Sequence, residues 1–116
     1  MLMKEMLYNE DDAYDIILNI DVKYSSLEDF QETNKRAIFL NFIEIFRKMT
    51  VIEKPIISLC IIWNTDVIVM KTTYQIDKSD INILNEILLP YFLDIEDYET
   101  CSEIKILYEK LYESKQ

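Results

Sequence analysis

"PIISLCIIWNTDVIVMKTTY", residues 55 to 74, decides the fold. Two runs rich in β-branched and aromatic residues, PIISLCIIW and DVIVMKTTY, meet at Asn64-Thr65-Asp66. Such runs suit a pleated, half-buried surface, and Asn, Thr and Asp tolerate turn geometry, so the stretch predicts a β-hairpin without glycine.

Upstream, Met6, Leu7, Tyr14, Ile17 and Leu18 recur at three- and four-residue steps, which predicts an amphipathic helix within Glu5 to Ile20. Asn9, Asp11 or Asp12 could cap it. Ser25 and Ser26 precede Glu28 and Asp29, a capping-box pattern with acids where the helix dipole favours them. The segment 37–49, AIFLNFIEIFRKM, fits two patterns: Leu40, Ile43 and Phe46 make a helical stripe, whereas Ile38, Leu40 and Phe42 alternate as in a strand.

Downstream, SDINILNEILLPYF opens with a cap signal at Ser79, yet Ile81 and Ile83 alternate, and Pro90 is expected to end the element. Tyr98 to Tyr112 predicts a closing helix with Ile104, Leu107, Tyr108 and Leu111 on one side. The 116 residues accordingly predict one acidic α+β domain, with no internal linker or repeat. Half of the residues are hydrophobic, enough to bury a sizeable core.

Net charge is −10. Acids outnumber bases nine to two in residues 1–34 and nine to three in 79–116, whereas residues 35–54 carry five bases and two acids. Phosphate contact requires lysine or arginine to release counterions, so direct binding to nucleic acid or to an anionic membrane is opposed. The expected partner is a basic protein surface, approached faster because opposite potentials steer encounter.

Histidine and glycine are both absent. Without histidine the chain lacks the usual general base and the commonest metal ligand. Without glycine it lacks phosphate-cradling loops, dinucleotide fingerprints and the nucleophile elbow. No enzymatic activity, metal or cofactor is therefore expected. The carboxylate-only exception would be a Mg²⁺ nuclease using Asp66 or Asp77 with Glu103 and Lys105. Cys60 and Cys101 form no disulfide framework, the N-terminus has no secretory pattern, and no apolar run approaches a membrane span, which together predict a cytoplasmic protein.

From about Leu27 to Phe92, the order SSLEDF, IIWNTDVIVM and DINILNEILLPYF resembles the staphylococcal-type uracil-DNA glycosylase inhibitors, small acidic proteins that mimic DNA. Ile62 to Pro90 carries most of the likeness, a hairpin followed by an Asp-led apolar run that ends before proline. The resemblance implies an antiparallel sheet flanked by two or more helices. It implies a monomer forming a 1:1 complex with uracil-DNA glycosylase, with carboxylates where phosphates would lie and an apolar pocket for the enzyme's intercalating side chain.

The family's glutamate-serine-isoleucine triplet falls on Ser25, Ser26 and Leu27, with Glu28, Asp29 and Glu32 as the decoy acids. A serine replaces the leading glutamate, and Lys23 stands where another acid would be expected. The pocket positions fall on Ser79, Ile81 and Leu84, with Leu27 and Met70 contributing. Asp94, Glu96, Asp97 and Glu99 follow Pro90 and would extend the negative edge. The alternative is an immunity or anti-defence protein that masks another basic enzyme, such as a toxin nuclease or a CRISPR effector.

Overall fold

A computed structural model describes residues 15–52 and 54–115. The fold is α+β, with strands β1 (Ile16–Lys23), β2 (Ile56–Asn64) and β3 (Val69–Asp77). The helices are α1 (Leu27–Thr33), α2 (Lys35–Met49), α3 (Leu89–Asp94) and α4 (Tyr98–Lys115), with a 3-10 turn at Lys78–Ile81 and a π turn at Leu84–Leu88. The backbone divides into two compact units. One holds residues 15–36 and Ile56–Ile76; the other holds Ala37–Pro55 and residues 77–115.

In the first unit the sheet order is β1-β2-β3. The β2-β3 hairpin forms as expected, and Thr65 organises its turn: its hydroxyl accepts from the Ile68 N–H at 3.0 Å and donates to the Ile68 carbonyl at 3.1 Å. The sheet is nevertheless mixed rather than antiparallel throughout, because β1 runs parallel to β2, with Ile16 opposite Leu59 and Asn19 opposite Ile62. Parallel neighbours require a long crossover, and α1 and α2 lie within the chain that joins them.

The pairing also corrects the first predicted helix. Ile16–Lys23, IILNIDVK, is a strand, which its β-branched residues favour, and the rest of that expected helix lies outside the described residues. Register shifts between Asn19 and Lys23, where two additional β1 residues are accommodated before Lys23 meets Asn64. A shift of this kind bends an edge strand.

Strand β2 is the centre of this unit, and Leu59 to Trp63 are buried at every position. Phe30 of α1 lies flat on Trp63 with ring centroids 4.5 Å apart and planes 5° apart, and Tyr24 meets both rings edge-on. The Trp63 Nε1–H reaches Thr72 Oγ1 at 2.9 Å, so the buried indole keeps its hydrogen bond across the hairpin. Gln31 donates to the Tyr74 hydroxyl at 3.2 Å, a second tie from α1 to β3.

In the second unit the ambiguous 37–49 segment is helical, with Ile38, Phe42, Ile45, Phe46 and Met49 buried along one stripe. Pro90 does not end its element. A proline ring would strike the carbonyl four residues back in a regular α-helix, but here a π turn closed by Leu89 N–H on the Leu84 carbonyl widens the coil just ahead of it. The chain then continues into α3. Helix α4 starts at Tyr98 as expected and buries Cys101, Ile104, Leu107 and Leu111.

Truncating either ring of the Phe30–Trp63 stack to alanine is expected to lower unfolding free energy by about 3–5 kcal/mol. Urea titration of Phe30→Ala, Trp63→Ala and the double variant should leave a coupling of about 0.5–1.5 kcal/mol. Strict additivity would refute the contact.

Candidate acidic protein-binding surface

The start of α1 is built as its sequence dictates. Ser26 is the N-cap, and its Oγ accepts the Asp29 N–H at 3.1 Å. The Asp29 carboxylate turns back to accept the Ser25 N–H at 3.0 Å and the Ser25 hydroxyl at 3.2 Å. These bonds favour the charged form, so the Asp29 carboxyl is held below its ordinary value of 3.8, chiefly by the Ser25 N–H. Asp29, Ser25 and Ser26 are thus committed to closing the helix, whereas Glu28 and Glu32 are exposed and take no part in the cap.

Apolar side chains stand beside this cap. The Tyr24 N–H donates to the Asn64 carbonyl at 2.8 Å, which brings the start of α1 to the same end of the sheet as the β2-β3 turn. Leu27 is exposed, and the turn presents Val67, 87% exposed, and Ile68 next to the exposed Asp66. Met70 is half-buried on β3. Ile81 and Leu84 belong to the second unit, where they are 2% and 0% exposed and packed as core. Leu27 and Met70 thus belong to the first unit, and Ile81 and Leu84 to the core of the second.

The second unit carries a denser acidic surface at the corner between α3 and α4. The corner is closed by Asp97 N–H on the Phe92 carbonyl at 2.9 Å and Glu96 N–H on the Leu93 carbonyl at 3.1 Å. This is the helix-ending geometry that favours glycine at its left-handed position, here taken by Glu96 at φ 60°. Asp97 then caps α4, accepting the Thr100 N–H at 3.2 Å and the Thr100 hydroxyl at 2.7 Å. Asp94, Glu96 and Glu99 remain exposed, interleaved with exposed Leu93, Ile95 and Tyr98.

No lysine or arginine occurs in sequence between Lys78 and Lys105. The acids of this corner were legible in the sequence; Leu93, Ile95 and Tyr98 were not, although the alternation in LDIEDYE is the signal that pairs them with the acids. Phe92, fully buried, anchors the corner, and Tyr91 packs edge-on against both Phe92 and Phe39 at 5.0 Å.

The acids considered for a carboxylate-dependent site are placed apart in function. Asp66 sits on the hairpin tip of the first unit. Asp77 accepts the Ser79 N–H at 2.9 Å, which lowers its pKa, and Glu103 pairs with Arg47 at 3.1 Å. No family model, curated protein or solved structure matches this chain.

Because the folded pKa of Asp29 is depressed, its contribution to stability is fully present above its unfolded value near 3.8 and is lost as pH falls through the lower folded value. Melting temperature followed from pH 5 downward should therefore fall less steeply below about pH 4 in Asp29→Asn than in the parent. Equal slopes would show that the cap does not bind the carboxylate. At neutral pH, Ser26→Ala should cost about 0.5–2 kcal/mol through the lost cap.

Proposed function

We propose that this protein is an inhibitor that occupies the basic nucleic-acid groove of an enzyme as a DNA mimic, with uracil-DNA glycosylase as the target named by the sequence resemblance. The observation that carries this reading is the α3-α4 corner, where exposed Leu93, Ile95 and Tyr98 alternate with exposed Asp94, Glu96 and Glu99. Carboxylates can take the place of phosphates opposite groove lysines and arginines. Apolar side chains between them add what charge alone does not, about 1.5–3 kcal/mol for each large side chain fully buried in the complex.

The division of labour follows from physics. Charge of one sign raises the rate of encounter with a basic groove and weakens with salt, while apolar burial slows dissociation and persists in salt. The start of α1 supplies a second set of the same kind, Glu28 and Glu32 beside Leu27 and the Val67-Ile68 tip, on the residues that the resemblance marks as decoys. Net charge of −10 keeps the protein off nucleic acid itself.

The test is a titration into a uracil-excision assay at low and at moderate salt. The expected result is stoichiometric loss of glycosylase activity that survives moderate salt. Glu99→Lys should weaken inhibition mostly at low salt, and Tyr98→Ala should weaken it about tenfold or more at both, equivalent to about 1.4 kcal/mol. Comparing Glu28→Lys with Glu99→Lys identifies which acidic surface meets the enzyme. Full activity in the presence of excess protein rejects the glycosylase as target. Masking of a different basic enzyme, a toxin nuclease or a CRISPR effector, would then require that enzyme to be inhibited with the same variant pattern.

A further inference from the structure

Strand β3 ends the sheet, and among the described residues no further strand lies beside it. Its ladder with β2 closes at both ends in one register: the Thr65 N–H donates to the Ile68 carbonyl at 2.9 Å, and the Lys78 N–H to the Pro55 carbonyl at 2.7 Å. Successive residues of an antiparallel strand turn their backbone groups to opposite sides, so Ile68 and Lys78 face β2 whereas Val69, Lys71, Thr73 and Gln75 face away from it. The Asp77 N–H is already taken by the Asp80 carboxylate at 3.0 Å, which ends the outward row. Thr73 and Gln75 are exposed, and their N–H and carbonyl groups meet no strand among the described residues.

The two edges of the sheet are not equivalent. The register shift between Asn19 and Lys23 bends β1 and makes it a poor template, whereas the nine residues of β3, VMKTTYQID, contain no proline and keep one register. Charge selects the strand that could join β3. A net charge of −10 opposes self-association, but residues 55–78 hold two acids and two bases, so the opposition is least along this strip. An antiparallel approach about a two-fold axis at Thr73 sets Thr73 opposite its own counterpart, Lys71 opposite Gln75, Thr72 opposite Tyr74 and Met70 opposite Ile76. Thr–Thr and aromatic–β-branched neighbours stabilise paired strands, and in this register no like charges stand opposite each other.

We propose that β3 is a self-association edge, through which two copies of this chain join their sheets antiparallel about a two-fold axis at Thr73. The contact is isologous, so each outward N–H and carbonyl of one copy is answered twice across the axis. A single pair of strands buries a narrow strip, which makes the dimer concentration-dependent rather than permanent. This pair differs from the monomer that the sequence resemblance implies, and it does not depend on the proposed target.

The experiment is analytical ultracentrifugation of the full chain over a wide concentration range, joined to amide hydrogen exchange at its two ends. The expected result is a mass that rises with concentration from one chain toward two, with slower exchange at Thr73 and Gln75 in the concentrated sample. Thr73→Pro removes an outward N–H and should stay monomeric while keeping the parent's circular dichroism. Thr73→Lys keeps every backbone donor and sets two lysines face to face on the axis, so it should weaken the dimer at least about tenfold, less so in high salt. Asn19→Lys, on the β1 edge, should dimerise as the parent does. A single-chain mass at every concentration, parent-like dimerisation of Thr73→Lys, or an equal loss in Asn19→Lys would overturn the proposal.

Discussion

A chain without glycine must reverse direction by other means, and here it does so with side-chain oxygens and amides. Ser26 and Asp29 close the start of α1, the Asn34 amide closes its end on the Phe30 carbonyl at 2.8 Å, and Thr65 folds the hairpin. Asp77 and Asp80 form a reciprocal box at the 3-10 turn, and Asp97 starts α4. Only Glu96, among the described residues, takes the left-handed backbone that glycine would ordinarily supply. Short side chains suit this work because their oxygens reach the neighbouring N–H groups without disturbing the turn. The acids consequently divide by length: several aspartates serve the fold, and Glu28, Glu32, Glu96 and Glu99 are left to solvent.

Where local chemistry determined structure, the sequence was readable. The hairpin, the Ser26 cap and α4 each carry their signal within a few residues. Strand β1 does not, because Ile16, Ile17, Leu18 and Ile20 satisfy helical and extended patterns alike and the partner that decides between them is about forty residues away, at Leu59 to Ile62. The parallel sense of that pair has no local signature either; it follows from the crossover. Pro90 misled for a related reason: its usual effect assumes a regular α-helix, and the π turn before it removes the clash.

The acidic surface was half legible. Charge is visible in sequence, and the Ser26–Asp29 cap pattern is present there too, formed bond by bond at the start of α1. Whether an aliphatic residue faces core or solvent is settled by packing, so Ile81 and Leu84 lie in the core while Leu93, Ile95 and Tyr98, of similar character, stand outside it.

Within the second unit, the acids of the α3-α4 corner stand apart from bases because of where α4 begins. Glu99 lies in its first turn, where the helix dipole favours an anion, and the helix carries no base before Lys105. Beyond that point its charges are mixed, with Glu103, Lys105, Glu109, Lys110 and Glu113 following one another. At 1.5 Å per residue, Tyr98 and Lys105 are separated by about 10 Å along the axis, about one screening length at physiological salt. A basic groove meeting Asp94, Glu96 and Glu99 would therefore experience the acids of the corner far more than the lysines farther along the helix.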